Sequence, residues 1–85
     1  MLLERVDPAY PEAARRARLQ GVVILEAVIT ASGAVDEVRI VRSPSPLFDA
    51  AVEDAVRRWR YRPATLNGRA VPVVLTVTVR FGLEG

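Results

Sequence analysis

The residues able to do chemistry are few, and their spacing is informative. The chain has no histidine and no cysteine, so imidazole-dependent triads, thiolate nucleophiles, disulfides and Cys- or His-ligated metals are excluded. Asp36 and Glu37 are adjacent on an extended stretch, point to opposite faces and do not form a general acid/base pair. Asp49, Glu53 and Asp54 are accounted for by helix electrostatics, and Ser32, Ser43 and Ser45 have no base in any recognisable motif. No catalytic constellation emerges, and the sequence does not read as an enzyme or as a cofactor carrier. What remains is recognition chemistry. Arg57, Arg58, Arg60 and Arg62 surround the only Trp, Trp59. They could steer acidic groups of a partner, or they could be a solvated, ion-paired face.

These arginines are positioned by the segment 47–64, LFDAAVEDAVRRWRYRPA. Phe48, Val52, Ala55 and Trp59 recur at i, i+4, i+7 and i+11, with Ala51 and Val56 widening the stripe, which is the period of an amphipathic helix. Ser45 suits the N-cap and Pro46 the first helical position. Glu53 with Arg57 and Asp54 with Arg58 are acid-before-base pairs four residues apart. Pro63 is expected to stop the helix, and Arg62 before it is biased to extended backbone. Trp59 reads as core, so this helix is a lid that needs a sheet beneath it.

The rest of the chain supplies that sheet. Residues 1–9 read as a lead-in without a clear period. Pro11 then opens a short helix whose inner side is Ala14, Ala17 or the Arg18 stem, and Leu19, with Gly21 ending it. Residues 22–30, VVILEAVIT, are β-branched, with Val23, Leu25, Ala27 and Ile29 on one face. Their other face, Val22, Ile24, Glu26 and Val28, is apolar enough to suggest a partly covered sheet or a homodimer surface. A turn at Gly33 leads to residues 35–42, with Val38 and Ile40 inward. Residues 66–69 make a second turn, and residues 71–81 alternate cleanly, with Val73, Leu75, Val77, Val79 and Phe81 on one face. The expected architecture is a single α+β domain over residues 1–85. It has two layers in the order α-β-β-α-β and a three-stranded antiparallel or mixed sheet of order 2-1-3, with both helices on one face. The third strand is then a long edge with Arg80 its only charge and Pro72 at its start. Such an edge exposes unpaired N–H and C=O groups and can template another strand.

Tyr10-Pro11 with Ala14, Gly21, the Gly33 turn, Ser43, the whole of LFDAAVEDAVRRWRYRPA, Gly68 and Phe81 resemble the C-terminal domain of the TonB family. The Tyr-Pro-x-x-Ala opening is a weak marker; Arg-Arg-Trp-Arg-Tyr-x-Pro after an apolar helix is a strong one. The resemblance covers roughly residues 7–83. It implies a periplasmic domain of an energy transducer, anchored to the inner membrane in the full-length protein by an N-terminal segment followed by a Pro-rich spacer. The partners it implies are TonB-dependent outer-membrane transporters, of the siderophore type among others, and an inner-membrane motor of the ExbB/ExbD type reached through the N-terminal part. In the family, a transporter's short TonB box adds to the edge of the final strand. The implied partner-binding residues are Val73, Val74, Leu75, Thr76, Val77, Thr78, Val79 and Arg80, with Tyr10 and Asp7 near the Tyr-Pro motif and Arg60 and Arg62 as flanking charges. The sequence departs from the family where Asp7-Pro8-Ala9 replaces Gln-Pro-Gln, and where Glu12-Ala13 stands at a position expected to be basic. It stops soon after Phe81, so the fourth strand of some members is not expected. A TonB-like homodimerising or sensor module is the alternative reading. A nucleic-acid-binding sheet is disfavoured because no exposed aromatics are available to stack bases, and acids nearly match the arginines.

Overall fold

The computed structural model describes residues 2–83. Its elements run β1 (Leu2–Glu4), α1 (Glu12–Arg16), β2 (Gly21–Ile29), β3 (Val35–Arg42), α2 (Pro46–Arg57), β4 (Arg60–Tyr61), β5 (Ala64–Leu66), β6 (Arg69–Val71) and β7 (Val73–Phe81). The main sheet is antiparallel with β2 between β3 and β7. Ala14 of α1 and Phe48, Val52 and Val56 of α2 join Val23, Leu25, Ala27, Ile29, Val38, Val79 and Phe81 in one buried cluster, so both helices cover the same sheet face. Among the described residues, the other face carries no helix.

Local chemistry explains most boundaries. Ser45 caps α2: its Oγ accepts from the Leu47 N–H at 3.2 Å, and Pro46 follows in the first turn. The Asp54–Arg58 pair forms at 2.7 Å. Arg57 instead donates to the Asp36 carbonyl at 3.3 Å, reaching out of the helix rather than back to Glu53. The first helix ends before the expected glycine. Arg18 takes the left-handed position (φ 56°) while the Leu19 N–H bonds the Ala14 carbonyl and the Arg18 N–H the Arg15 carbonyl, a Schellman closure. Ala14 and Leu19 face inward, whereas Ala17 and Arg18 are exposed. Gly21 serves close packing instead: a Cβ there would meet the Pro44 ring at 2.7 Å.

The larger departure is at the end of α2. The periodicity carries the helix toward Pro63, but it stops at Arg57, with Arg58 as C-cap and the Trp59 N–H closing on the Val56 carbonyl at 3.0 Å. Trp59 still reaches the core, 4 % exposed. From Arg60 the backbone is extended because two other segments offer it strand pairing. β1 pairs with β4, and the Gly33 carbonyl accepts the Tyr61 N–H at 2.8 Å. Gly33 has φ 89°, and a Cβ there would lie 2.0 Å from the Tyr61 carbonyl oxygen, so the turn between β2 and β3 docks on β4 only because the side chain is missing. Part of the expected lead-in is therefore a strand. The expected turn at 66–69 is the tip of a hairpin of β5 and β6, where Asn67 (φ 52°) and Gly68 (φ 79°) supply the two positive φ angles of a two-residue type I′ turn.

Candidate functional site

β7 is made by its alternation. Val73, Leu75, Val77, Val79 and Phe81 turn to the helix layer, and Val74, Thr76, Thr78 and Arg80 are exposed on the open face. It pairs with β2 in unbroken register from Val73 opposite Ile29 to Phe81 opposite Gly21. No other strand pairs with it among the described residues. One row of its N–H and C=O groups therefore points away from the sheet with no strand to take them up.

Three aromatics anchor the C-terminal end of β7. The Phe48 and Phe81 rings stack at 4.3 Å, and Tyr10 meets each edge-on, at 5.8 and 5.4 Å. Such pairs add about 0.5–1.5 kcal/mol each beyond burial. The Tyr10 hydroxyl donates to the Leu19 carbonyl, tying the segment before α1 to the segment after it. Tyr10 is thus first a staple between the N-terminal segment and the core. Trp59 fastens the same segment from the other side: its Nε1 donates to the Val6 carbonyl at 2.7 Å, while the Arg5 guanidinium lies 5.5 Å from its ring centroid.

The N-terminal segment so fixed forms one wall of a cleft of about 350 Å³. Arg5, Asp7, Pro8 and Tyr10 stand on one side and residues 78–82 on the other. Arg5 and Asp7 pair at 3.2 Å across exposed side chains, a contact worth little in stability. At the opposite end of β7 lies a second cleft of about 450 Å³. It is formed by residues 61–64 after α2, by residues 73–75 of β7, and by Ile29. Tyr61 lines it, and burial pushes the Tyr61 hydroxyl above the usual tyrosine pKa, with the Arg5 charge opposing.

The twelve residues expected to bind a partner divide accordingly. Val73, Val74, Leu75 and Arg62 line the larger cleft. Thr78, Val79, Arg80, Tyr10 and Asp7 line the smaller. Thr76 and Val77 bridge the two along the strand. Arg60 lies apart from both clefts: it sits opposite Glu4 in the β1–β4 pair and donates to the carbonyls of Trp59 (2.8 Å) and Arg57 (3.3 Å). Arg5, Tyr61 and Pro63 are cleft residues that the sequence reading did not select. Tyr61 and Pro63 stand inside the segment quoted above, where Pro63 reads as a helix stop and Tyr61 only as part of the family motif. Arg5 had no signal, since its place depends on the β1–β4 pairing. Among the described residues no group of three or more Asp, Glu, His or Cys gathers as metal ligands, and no helix is long and apolar enough to cross a membrane.

The class this defines is a two-layer α+β domain with a straight, unpartnered edge strand lying between two clefts. The chain belongs to the family described as Gram-negative bacterial TonB protein C-terminal, whose model matches residues 6–83. It is 36% identical over 87 residues to the Protein TonB of Klebsiella aerogenes, covering 98% of this chain and 32% of that protein. It is 40% identical over 62 residues to the Protein TonB of Escherichia coli K12, covering 72% of this chain and 26% of that protein. The solution NMR structure of the Pseudomonas aeruginosa TonB CTD superposes with a TM-score of 0.84 at 30% identity, covering 100% of this chain and 87% of that one. The chain thus spans about a third or less of the length of these curated relatives.

Proposed function

We propose that this is the protein-binding domain of a TonB-like energy transducer. In this reading it works in the periplasm, anchored to the inner membrane through the N-terminal part of the full-length protein. It captures the TonB box of outer-membrane transporters by strand addition to β7 and passes on work that an ExbB/ExbD-type motor draws from the proton-motive force. The observation that carries the reading is the uninterrupted nine-residue edge of β7, unpaired among the described residues. Family membership says which kind of partner to try first. Mechanically the arrangement is suitable: main-chain pairing along a strand loads many hydrogen bonds at once. The aromatic triad and the Trp59–Val6 bond fix β7's flank to the N-terminal segment, through which a pull from the membrane side would enter. The test is an NMR titration of the 15N-labelled domain with TonB-box peptides encoded in the same genome. Amide shifts should concentrate on residues 73–80; a spectrum that stays unchanged there with every peptide overturns the proposal.

A second reading, a homodimerising or sensor module, is favoured by one observation. On the helix-free sheet face Val22, Ile24 and Val28 are only half-buried beside Val74, which is 62 % exposed. Sedimentation at two concentrations separates the readings, because a domain that stays monomeric at both removes the support for self-association.

A further inference from the structure

The inner face of β7 is covered unevenly. Val79 and Phe81 at its C-terminal end are 4 % and 5 % exposed, with the Phe81 ring against Phe48 and Tyr10. Val73, Leu75 and Val77 point to the same face yet stay only half-buried. The helix layer thins out toward the N-terminal end of the strand, and the 450 Å³ cleft opens there. Its far wall is the segment that leaves α2, held in place by the Gly33 carbonyl's bond to the Tyr61 N–H and stiffened by Pro63. Its floor is Ile29, 1 % exposed. Apart from Arg62 the lining side chains are aliphatic, aromatic or proline.

The cleft is continuous with the open edge. Residues 73–75 belong to both, so a segment paired with β7 would run about 4.8 Å from this strand and beside the cleft. In an added strand every second side chain points to the helix side of the sheet. One of them would meet the part of the core that the helices leave uncovered.

We infer that the cleft bounded by residues 61–64 and 73–75 is a specificity subsite, which takes one large aliphatic or aromatic side chain of the segment added to β7. The inference rests on the strand-capture reading and deepens it: the edge supplies sequence-independent pairing, and this cleft reads one position. The smaller cleft at the other end of β7 mixes Arg5, Asp7 and Arg80 with Pro8, Tyr10, Val79 and Phe81, so it presents charge at the mouth where the larger cleft presents Arg62 alone. The preference should thus fall on a single position of the captured segment.

The experiment uses the 85-residue chain and blocked octapeptides of alternating Thr and Val, in which one Leu is walked through every position and compared with Ala at the same position. Affinity is measured by NMR titration, with shifts followed at residues 61–64 and 73–80. The expected result is a preference for Leu over Ala of roughly tenfold at one position, against less than about twofold elsewhere. Ala64→Phe, which fills the cleft from the β5 side, should reduce that preference to about one. Shifts along β7 with no positional preference overturn the subsite and leave strand capture standing. A preference that survives Ala64→Phe, in a variant whose amide spectrum stays dispersed, also overturns it. So does N-acetyl-leucinamide binding as tightly as the best octapeptide, which would make the cleft a small-molecule site. No shift at residues 73–80 with any octapeptide removes strand capture and the subsite together. If Ala64→Phe does not fold, the Leu-to-Ala comparison on the unaltered chain decides alone.

Discussion

β3 and β7 are the two flanks of the same central strand, and among the described residues each has one side without a strand partner. β3 meets β2 with two irregularities: Ile24 faces Arg42 but Leu25 faces Ile40, and Val28 faces Glu37 but Ile29 faces Val35. Val41 and Asp36 are the extra residues, and Arg57 reaches from the end of α2 to hold the Asp36 carbonyl. Asp36, Glu37, Arg39 and Arg42 put charge on half of this eight-residue strand. β7 keeps an unbroken register over nine residues with Arg80 its single charge. Bulges bend an edge and charges oppose desolvation, and both discourage another strand from adding. One flank of the sheet is thus blunted and the other left straight, which is the arrangement expected of a domain that must pair at one place only.

The largest effect on this contrast should come from Phe81→Ala. It removes the ring stacked on Phe48 and met by Tyr10, and should cost about 3–5 kcal/mol in chemical denaturation. Amide exchange should quicken at the C-terminal end of β7 and in the segment around Tyr10, before it does in β3. If β3 loses protection equally, the two flanks are one cooperative unit and their difference is confined to the surface.

Giving β7 the character of β3 is the next test. Thr76→Lys with Thr78→Lys places two charges on exposed positions of the straight edge. Affinity for an added peptide should fall about tenfold, roughly 1.4 kcal/mol, while folding stability moves by less than about 0.5 kcal/mol. Undiminished capture in the same NMR titration would mean that edge character is not what separates β7 from β3.

The smallest effect concerns how β3 is held. Glu26 and Arg39 are direct cross-strand partners on the open face and pair at 2.7 Å. A double-mutant cycle with Glu26→Ala and Arg39→Ala, read by urea unfolding, should give a coupling of about 0.2–1 kcal/mol. A coupling above about 2 kcal/mol would show that charge rather than the packing of Val35 and Val38 keeps the blunted flank in place.

Much of this was legible in advance because it is written in short-range chemistry. The α2 stripe, its Ser45 cap, the strand alternation of residues 73–81 and the inward set Val23, Leu25, Ala27 and Ile29 depend on periods of 3.6 and 2. Those survive whatever the partners are. The early end of α2 was not legible: Arg62 is turned out of the helix by Pro63, but Arg58 to Tyr61 have no local reason to leave it. The competing force is strand pairing with residues that are distant in sequence, Leu2 to Glu4 on one side and Gly33 on the other. The register slips in β3 were equally hidden, because Val35 and Val38 both face inward only once Asp36 is left over as the extra residue. The separate slip at Val41 puts Arg42, rather than Val41, opposite Ile24.

By itself, then, the sequence determined the class of fold, the family, the core aromatics and the strand with an open edge, through periodicity, capping and one distinctive segment around Trp59. Only the tertiary structure decided what stands at the two ends of that edge. The clefts are built from residues about forty-five to seventy-five apart in the chain, Arg5 and Asp7 with Arg80 and Ile29 with Leu75 among them. Their walls exist because Trp59 and Tyr10 fasten the N-terminal segment and Gly33 fastens the exit from α2. Contacts of that separation carry no local period, so nothing short of the packed core could reveal them.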